Sequence, residues 1–431
     1  MAHALLILML AMVAVVPTAA AQDDGTLRKL VIVSRHGVRT PLATADELDE
    51  WAAQPWPVWR QPAGALTPHG GLLATLMGRW YRDYLGVHGT LSDAGCPPDG
   101  SVFVYADVPE RTQATARALI AGFAPGCKLP FRTRGDVRID PLFHPVAAGV
   151  CKLDVATARS DVLERAHGDL EHLARELAPS FTVLQSVLGC CQPALCRRFN
   201  RGETCGIGDL PTTVSPRADD GTFAIAGALP IGSTASELLL LQYADGLPLA
   251  EVGWGRATID RLHDTQRLHT EYYELTERTP YAARRKGSAL LAAVATAVTV
   301  TAELGLGPPA TTVGNAKFVA YVGHDTNIAN LAGMLDMSWA QPGYQRNDTP
   351  PAGALMFEVR QSADRKLRVY ASYVAQSLAQ MREATPLVGK TQPYRTALRI
   401  RGCSGDAPAF ACTIEEFAAS IRSALDRDCI E

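Results

Sequence analysis

The stretch Val31-Ile32-Val33-Ser34-Arg35-His36-Gly37-Val38-Arg39-Thr40-Pro41 decides how the chain is read. Val31, Ile32 and Val33 are β-branched and apolar at consecutive positions, the pattern of a strand buried on both faces. Gly37 and Pro41 stop that strand from continuing. Arg35, His36 and Arg39 therefore fall at the carboxyl end of a core strand, where open α/β sheets carry their ligands. Two guanidiniums beside one imidazole suit an oxyanion, because the planar Arg fork matches phosphate oxygens. A single strand-end histidine among surface arginines would carry no function. Five fixed residue types in the register R-H-G-x-R-x-P recur by chance on the order of once in ten thousand chains of this length.

The same reasoning finds two more strand ends. A strand at 102–106 (VFVYA) runs into Asp107-Val108-Pro109-Glu110-Arg111-Thr112, which opens a helix to about Gly122. If this strand is parallel to the first, Arg111 shares its edge. An arginine at a helix start opposes the helix dipole, a conflict that a bound anion removes. A strand at 317–322 (KFVAYV) leads into Gly323-His324-Asp325-Thr326-Asn327, with Ile328, Leu331 and Leu335 as the apolar face of the next helix. Alone, Asp325 reads equally well as the cap of that helix.

The first motif resembles the signature of the histidine acid phosphatases, and Gly323-His324-Asp325-Thr326-Asn327 resembles that family's distal His-Asp element. The similarity runs over nearly the whole mature chain and leans to the bacterial periplasmic phytase and glucose-1-phosphatase branch. It implies an α/β fold of the phosphoglycerate mutase-like histidine phosphatase type: a mixed central sheet flanked by helices, with an inserted smaller helical domain. It also implies a phosphomonoesterase that passes through a phosphohistidine. His36 is expected as nucleophile and Asp325 as proton donor and later base. Arg35, Arg39, Arg111 and His324 are expected to hold the phosphate oxygens. No cofactor or metal is expected, since cationic side chains take the place of a cation and no acidic cluster suggests magnesium.

Departures from the phytase pattern bear on the leaving group. Where phytases of this branch carry a polar Thr-Lys pair after the signature proline, this chain has Leu42 and Ala43, more like glucose-1-phosphatase. Lys286 stands for a pocket arginine, keeping the charge and losing the fork. Val374 to Leu387 leans back toward phytase. Phytase with broad acid phosphatase activity is the main reading, and glucose-1-phosphatase or another sugar-phosphate phosphatase the alternative. A non-catalytic phosphate-binding protein would have lost His36 or Asp325, and both are present. A phosphomutase of the wider superfamily fits an exported, disulfide-bonded chain less well.

Composition agrees with export. The chain has 431 residues, 47% apolar and 20% charged, enough for a sizeable core. A net charge of −3 gives no basic field for nucleic acid. Residues 4–21 form an apolar run ending in Ala19-Ala20-Ala21, read as a signal peptide over 1–21 that leaves no membrane anchor after cleavage. The expected setting is the periplasm or outside the cell, the partner a small phosphate monoester, and the protein a monomer. Ten cysteines fit an oxidising compartment, and without paired C-x-x-C motifs they do not suggest metal. The resemblance implies the pairs Cys96–Cys127, Cys151–Cys429, Cys196–Cys205 and Cys403–Cys412. Cys190 and Cys191 stay open: they pair together, compete for Cys196 or Cys205, or remain free.

Between these landmarks the chain divides. Residues 22–151 and 281–431 read as the α/β domain and 152–280 as the inserted, mainly helical one. Trp51, Trp56 and Trp59 lie in a proline-rich stretch, 46–60, near the site mouth, where they either line a cleft or pack. Thr67 and Pro68 start a helix to about Tyr84. Helical patterns cover 154–176, 233–245 and 261–277, with a Cys-rich, loop-like piece at 186–222. Glu237 is either a helix-start charge or a group that reaches the cleft. A helix at 287–303, a Gly/Pro linker at 304–309, and strands at 354–360 and 367–374 complete the chain before a Cys-closed tail.

Overall fold

The computed structural model describes residues 25–216, 223–299 and 313–430. The expected leader at 1–21 and the linker at 304–309 lie outside the described residues. The strands are β1 (Thr26–Arg35), β2 (Val102–Ala106), β3 (Thr213–Pro216), β4 (Phe223–Ala226), β5 (Phe318–Gly323), β6 (Ala354–Gln361), β7 (Leu367–Ala375), β8 (Tyr394–Leu398) and β9 (Cys412–Thr413). The main sheet runs β2-β5-β1-β6-β7-β8, with β9 on β7, and β3–β4 form a separate hairpin. β2, β5 and β1 are parallel, and β6 is antiparallel to β1, so the sheet is mixed as expected.

β1 is central because it can be buried on both faces. Val31 and Val33 face one layer, with Tyr321, Phe357 and the helices Pro280–Thr299, Asp325–Leu335 and Ile414–Ala424. Leu30 and Ile32 face the other, with Ala320, Met356 and the helices Pro68–Val87 and Glu110–Phe123. The result is a helix–sheet–helix sandwich. Its parallel register sets Arg35 opposite Gly323 and Ala106 opposite Val322, so the three motifs emerge on one edge.

Between 155 and 276 the chain is mostly helical, and these helices share a core with the 38–56 segment through Val38, Trp51, Trp56, Leu184, Leu239 and Leu268. The long helix expected at 154–176 is two: Val155–Arg165 and Leu170–Glu176. His167 and Gly168 take positive φ at the break, and Asp169 caps the second helix by accepting from Glu171 N. The helix expected at 233–245 begins earlier, at Ala228, because Pro230 falls in its first turn, where no helical N–H is needed. The Cys-rich piece contains the helix Pro193–Arg198 and β3. Trp51 and Trp56 pack rather than line a cleft, with Trp56 Nε1 donating to Leu48 O at 2.9 Å.

The cysteines form the four expected pairs, and Cys190 pairs with Cys191. Among the described residues no helix is long and apolar enough to cross a membrane.

The start of the helix Pro68–Val87 rests directly on the signature loop. Thr67 Oγ1 accepts from Gly70 N at 2.9 Å, and Thr67 N donates to Val38 O. A Cβ at Gly70 would strike the Val38 carbonyl, so the close approach requires glycine there. Gly70→Ala should therefore destabilise the protein by about 1–3 kcal/mol, the usual range for overpacking. It should also lower kcat by displacing the loop that carries His36. Urea denaturation alongside steady-state kinetics checks both; unchanged midpoint and kcat would show that the contact does not matter.

Candidate active site

The sheet edge brings together all six residues expected from the motifs. Arg35 ends β1; its N donates to Gly353 O, and His36 N donates to Gly323 O at 2.9 Å, which extends the β1–β5 pairing by one residue. The backbone of the signature is thus held before any side chain acts.

Arg35 is 1% exposed and has partners on three elements. Nη1 donates to Thr349 O at 2.6 Å. Nη2 donates to Glu237 on the helix Ala228–Ala244 and lies 2.9 Å from Asp325 Oδ2. Arg39 Nη2 donates to the other oxygen of Glu237 at 3.0 Å. Glu237 therefore reaches the cleft and bridges two signature arginines. Burial opposes its ionisation, but Arg39 and Arg35 outweigh burial and hold it below the ordinary glutamate range.

His36 Nδ1 lies 2.8 Å from Gly37 O. A carbonyl only accepts, so Nδ1 carries the proton and Nε2 keeps its lone pair. Burial, then Arg35, His324, Arg111 and Arg39, push the imidazole well below its ordinary pKa, so it is neutral.

Arg111 lies in the first turn of the helix Glu110–Phe123, and its Nη2 is 3.3 Å from His324 Nδ1. His324 Nε2 is 2.8 Å from Asp107 Oδ2. The guanidinium only donates and the ionised carboxylate only accepts, so His324 holds its proton on Nε2 and turns Nδ1 toward Arg111. Burial lowers its pKa to about 4 against the pull of Asp107. Asp107 also meets His144 Nε2 at 2.8 Å, and the two imidazoles overcome burial to hold its carboxyl well below the usual range.

Asp325 is the first residue of the helix Asp325–Leu335 rather than its cap. The cap position belongs to His324, whose N donates to Asn327 Oδ1 at 2.9 Å. Burial disfavours the Asp325 charge, but Arg35, the largest of the opposing influences, outweighs it, so the carboxylate is ionised. Gly323 is needed here because a Cβ would meet the Phe143 ring at 2.8 Å.

The remaining sequence candidates fall at different distances from this centre. Leu42 is 57% exposed and packs on Gly64, where a Cβ would lie 3.8 Å from Arg111 Nη1, so Leu42 borders the opening. Ala43 is half-buried against the core of the helical part. Lys286 Nζ donates to Thr276 O at 3.0 Å and to Glu277 Oε1 at 2.9 Å. It lines an adjoining cavity of about 230 Å³ with His144, Thr326 and Asn327, and its charge is already paired.

Sequence reasoning missed Asp107, His144 and His269. Asp107 left a trace, since it follows a strand directly, as His36 and His324 do. His144 and His269 left none, because only folding carries them here; His269 Nδ1 lies 3.0 Å from Ser233 Oγ and its ring borders Glu237 and Asp325. Asp107, His144 and His324 offer ligand atoms within 4.8 Å of one another, as do Glu237, His269 and Asp325. In the first set one Asp107 oxygen serves both imidazoles; in the second both carboxylates engage Arg35, while His269 Nε2 is buried with no hydrogen-bond partner in the protein.

The arrangement is an anion site with a neutral imidazole and a carboxylate beside it. The description of the family model that matches residues 26–206 and 217–374 is Histidine phosphatase superfamily (branch 2). Phytase AppA of Escherichia coli (strain K12) is 36% identical over 411 residues, 94% of this chain and 94% of that protein. Glucose-1-phosphatase of Salmonella typhimurium (strain LT2) is 30% identical over 399 residues, 91% of each. The solved structure of Hafnia alvei phytase in complex with myo-inositol hexakis sulphate matches at a TM-score of 0.85 and 33% identity, covering 94% of this chain and 98% of that one. The chain belongs to branch 2 of the histidine phosphatase superfamily and is a phosphoric monoester hydrolase.

Proposed function

We propose that this enzyme is an acid phosphomonoesterase that forms a phosphohistidine on His36 and takes phytate as its main substrate among other phosphate monoesters. The observation that carries the chemistry is the His36 Nδ1 bond to Gly37 O, which leaves Nε2 as the nucleophile among three guanidiniums. Nε2 attacks phosphorus in line, the P–O ester bond breaks, and the leaving oxygen takes the Asp325 proton. Water then attacks the phosphohistidine, Asp325 accepts its proton, the N–P bond breaks, and phosphate leaves. Arg35, Arg39 and Arg111 hold the equatorial oxygens and balance the developing charge. His324 joins them once Nδ1 is protonated, a change that an incoming dianion favours.

Asp325 is ionised in the unliganded site, so it must gain a proton before it can give one. A bound phosphate supplies both conditions: it draws on the Arg35 charge and adds negative charge beside the carboxylate, which raises its proton affinity. Acid solution then fills the site with the protonated form. The phytase and glucose-1-phosphatase relatives support this substrate class. Glucose-1-phosphatase remains the second reading because Leu42 places an apolar group at the opening. Export to the periplasm is part of the proposal and is supported by the five disulfides and the apolar leader. So is the division into an α/β domain, 22–151 with 281–431, and a helical insert, 152–280.

His36→Ala should abolish turnover with the fold intact, and acid quench during turnover should trap phosphoenzyme in the wild type only. Substantial residual activity would remove His36 from the role.

The imidazoles predict how stability varies with pH. An unfolded histidine takes up its proton near pH 6.5. His324 does so at about 4 in the fold, and His36 is also depressed. Between these values the unfolded chain binds more protons, so stability falls as pH drops from about 6.5 toward 4. His324 alone accounts for a loss of up to about 3 kcal/mol. Asp107 and Asp325, depressed in the fold, add their losses only below about pH 4. Urea midpoints should drop over this window, and the drop should shrink in His324→Gln. A slope identical in that variant would contradict the assignment.

At the opening, Leu42 offers no polar contact to the phosphates of phytate that are not being cleaved, which then stay in water. Leu42→Thr with Ala43→Lys should raise kcat/KM for phytate relative to glucose 1-phosphate by about tenfold, the worth of one charged contact. An unchanged ratio would mean that these positions do not set specificity.

A further inference from the structure

A second basic cavity, of about 530 Å³, lies beside the helix Ile259–Thr276 and contains none of the residues described above as catalytic or phosphate-binding. Arg165, Arg267, Arg278, Arg346 and Arg401 line it. Glu271, Glu274 and Asp336 face them, so five guanidiniums meet three carboxylates and two positive charges remain. Those arginines come from four separate regions of the chain, so the cluster exists only in the fold.

Arg278 is the buried member, 9% exposed, while Arg165, Arg346 and Arg401 are exposed around it. Its Nη2 donates to Met337 O at 2.7 Å, and its Nε lies 2.8 Å from Glu274 Oε1. Its Nη1 is buried and has no hydrogen-bond partner in the protein. Glu274 turns instead to Arg165 and to Arg278 Nε, and accepts from Asn347 Nδ2 at 2.6 Å. Burial, then Arg165 and Arg346, press the Arg278 pKa down to about 10 against the pull of Asp336. A buried guanidinium edge left unpaired is costly, and an oxyanion is the ligand whose geometry matches it.

We propose that this cavity is a second anion site, binding a phosphate group through Arg278 with Arg267 and Arg346 at its sides. The phosphate is either the inorganic ion released by hydrolysis or one group of a polyphosphorylated molecule. The proposal does not depend on the catalytic roles assigned above.

Titration calorimetry of the whole enzyme, with inorganic phosphate and separately with myo-inositol hexakis sulphate at low salt, tests it. Two sites per chain are expected for at least one of these anions. The double variant Arg267→Ala with Arg346→Ala should keep one site and weaken the other at least tenfold. Its kcat and its inhibition constant for phosphate should stay within about twofold of the wild type, since the catalytic site is untouched. A second site for phosphate identifies the released ion as ligand; one for the hexakis sulphate alone identifies a polyphosphorylated molecule. Arg401→Glu, at an exposed position, should weaken the same site and guards against misfolding of the double variant. One site per chain for both anions, or a second site that survives these substitutions, would overturn the proposal.

Discussion

The Arg35 guanidinium is the joint on which the molecule depends. It ends the central strand, and its partners are the Thr349 carbonyl, Glu237 on the helix Ala228–Ala244 and Asp325 on the helix Asp325–Leu335. One buried cation thus fixes the distance between the sheet edge, the helical part and the helix that carries the acid. Removing one partner of such a cluster leaves a buried charge without compensation, which costs far more than a surface ion pair. The geometry of the site and the packing of the two parts of the chain are therefore one constraint.

The charges around Arg35 are balanced by carboxylates. Glu237 and Asp325 occupy the guanidinium edges that the proposed mechanism gives to phosphate, and His36 and His324 are kept neutral by burial and by nearby arginines. A dianion that enters competes with two carboxylates for the same donors. Binding therefore moves protons: added negative charge raises the proton affinity of every acid and imidazole nearby. On the proposed mechanism, phosphate binding and dependence on acid solution both follow from the same crowded group.

The six motif residues were legible in the sequence because each lies within a few residues of a strand end, and the parallel order of β2, β5 and β1 then carried all three ends to one edge. Glu237 was visible as a charge in an apolar helix, but its direction was not, since nothing local says which arginine it will meet. His144 and His269 were illegible for the same reason. Asp107 was within reach of the reasoning applied to His324. Helix boundaries failed where a short-range signal was passed over: His167-Gly168-Asp169 breaks a periodic apolar pattern that otherwise continues. Lys286 shows the opposite case, a charge that looked available in the sequence and is paired with Glu277 in the fold.

The order of the sheet also bears on when the enzyme comes into being. β1 is the first strand of the chain and sits in the middle of the sheet, and both its neighbours, β5 and β6, come from beyond residue 317. During synthesis the signature loop must wait, unpaired, until most of the chain has been made. Pairings so distant in sequence close late and make folding slow. An apolar strand that stays open for that long is a hazard for wrong pairing. A truncated or still-growing chain holds His36 with no strand beside it to set its direction, so hydrolysis begins only when the last quarter of the polypeptide has begun to arrive.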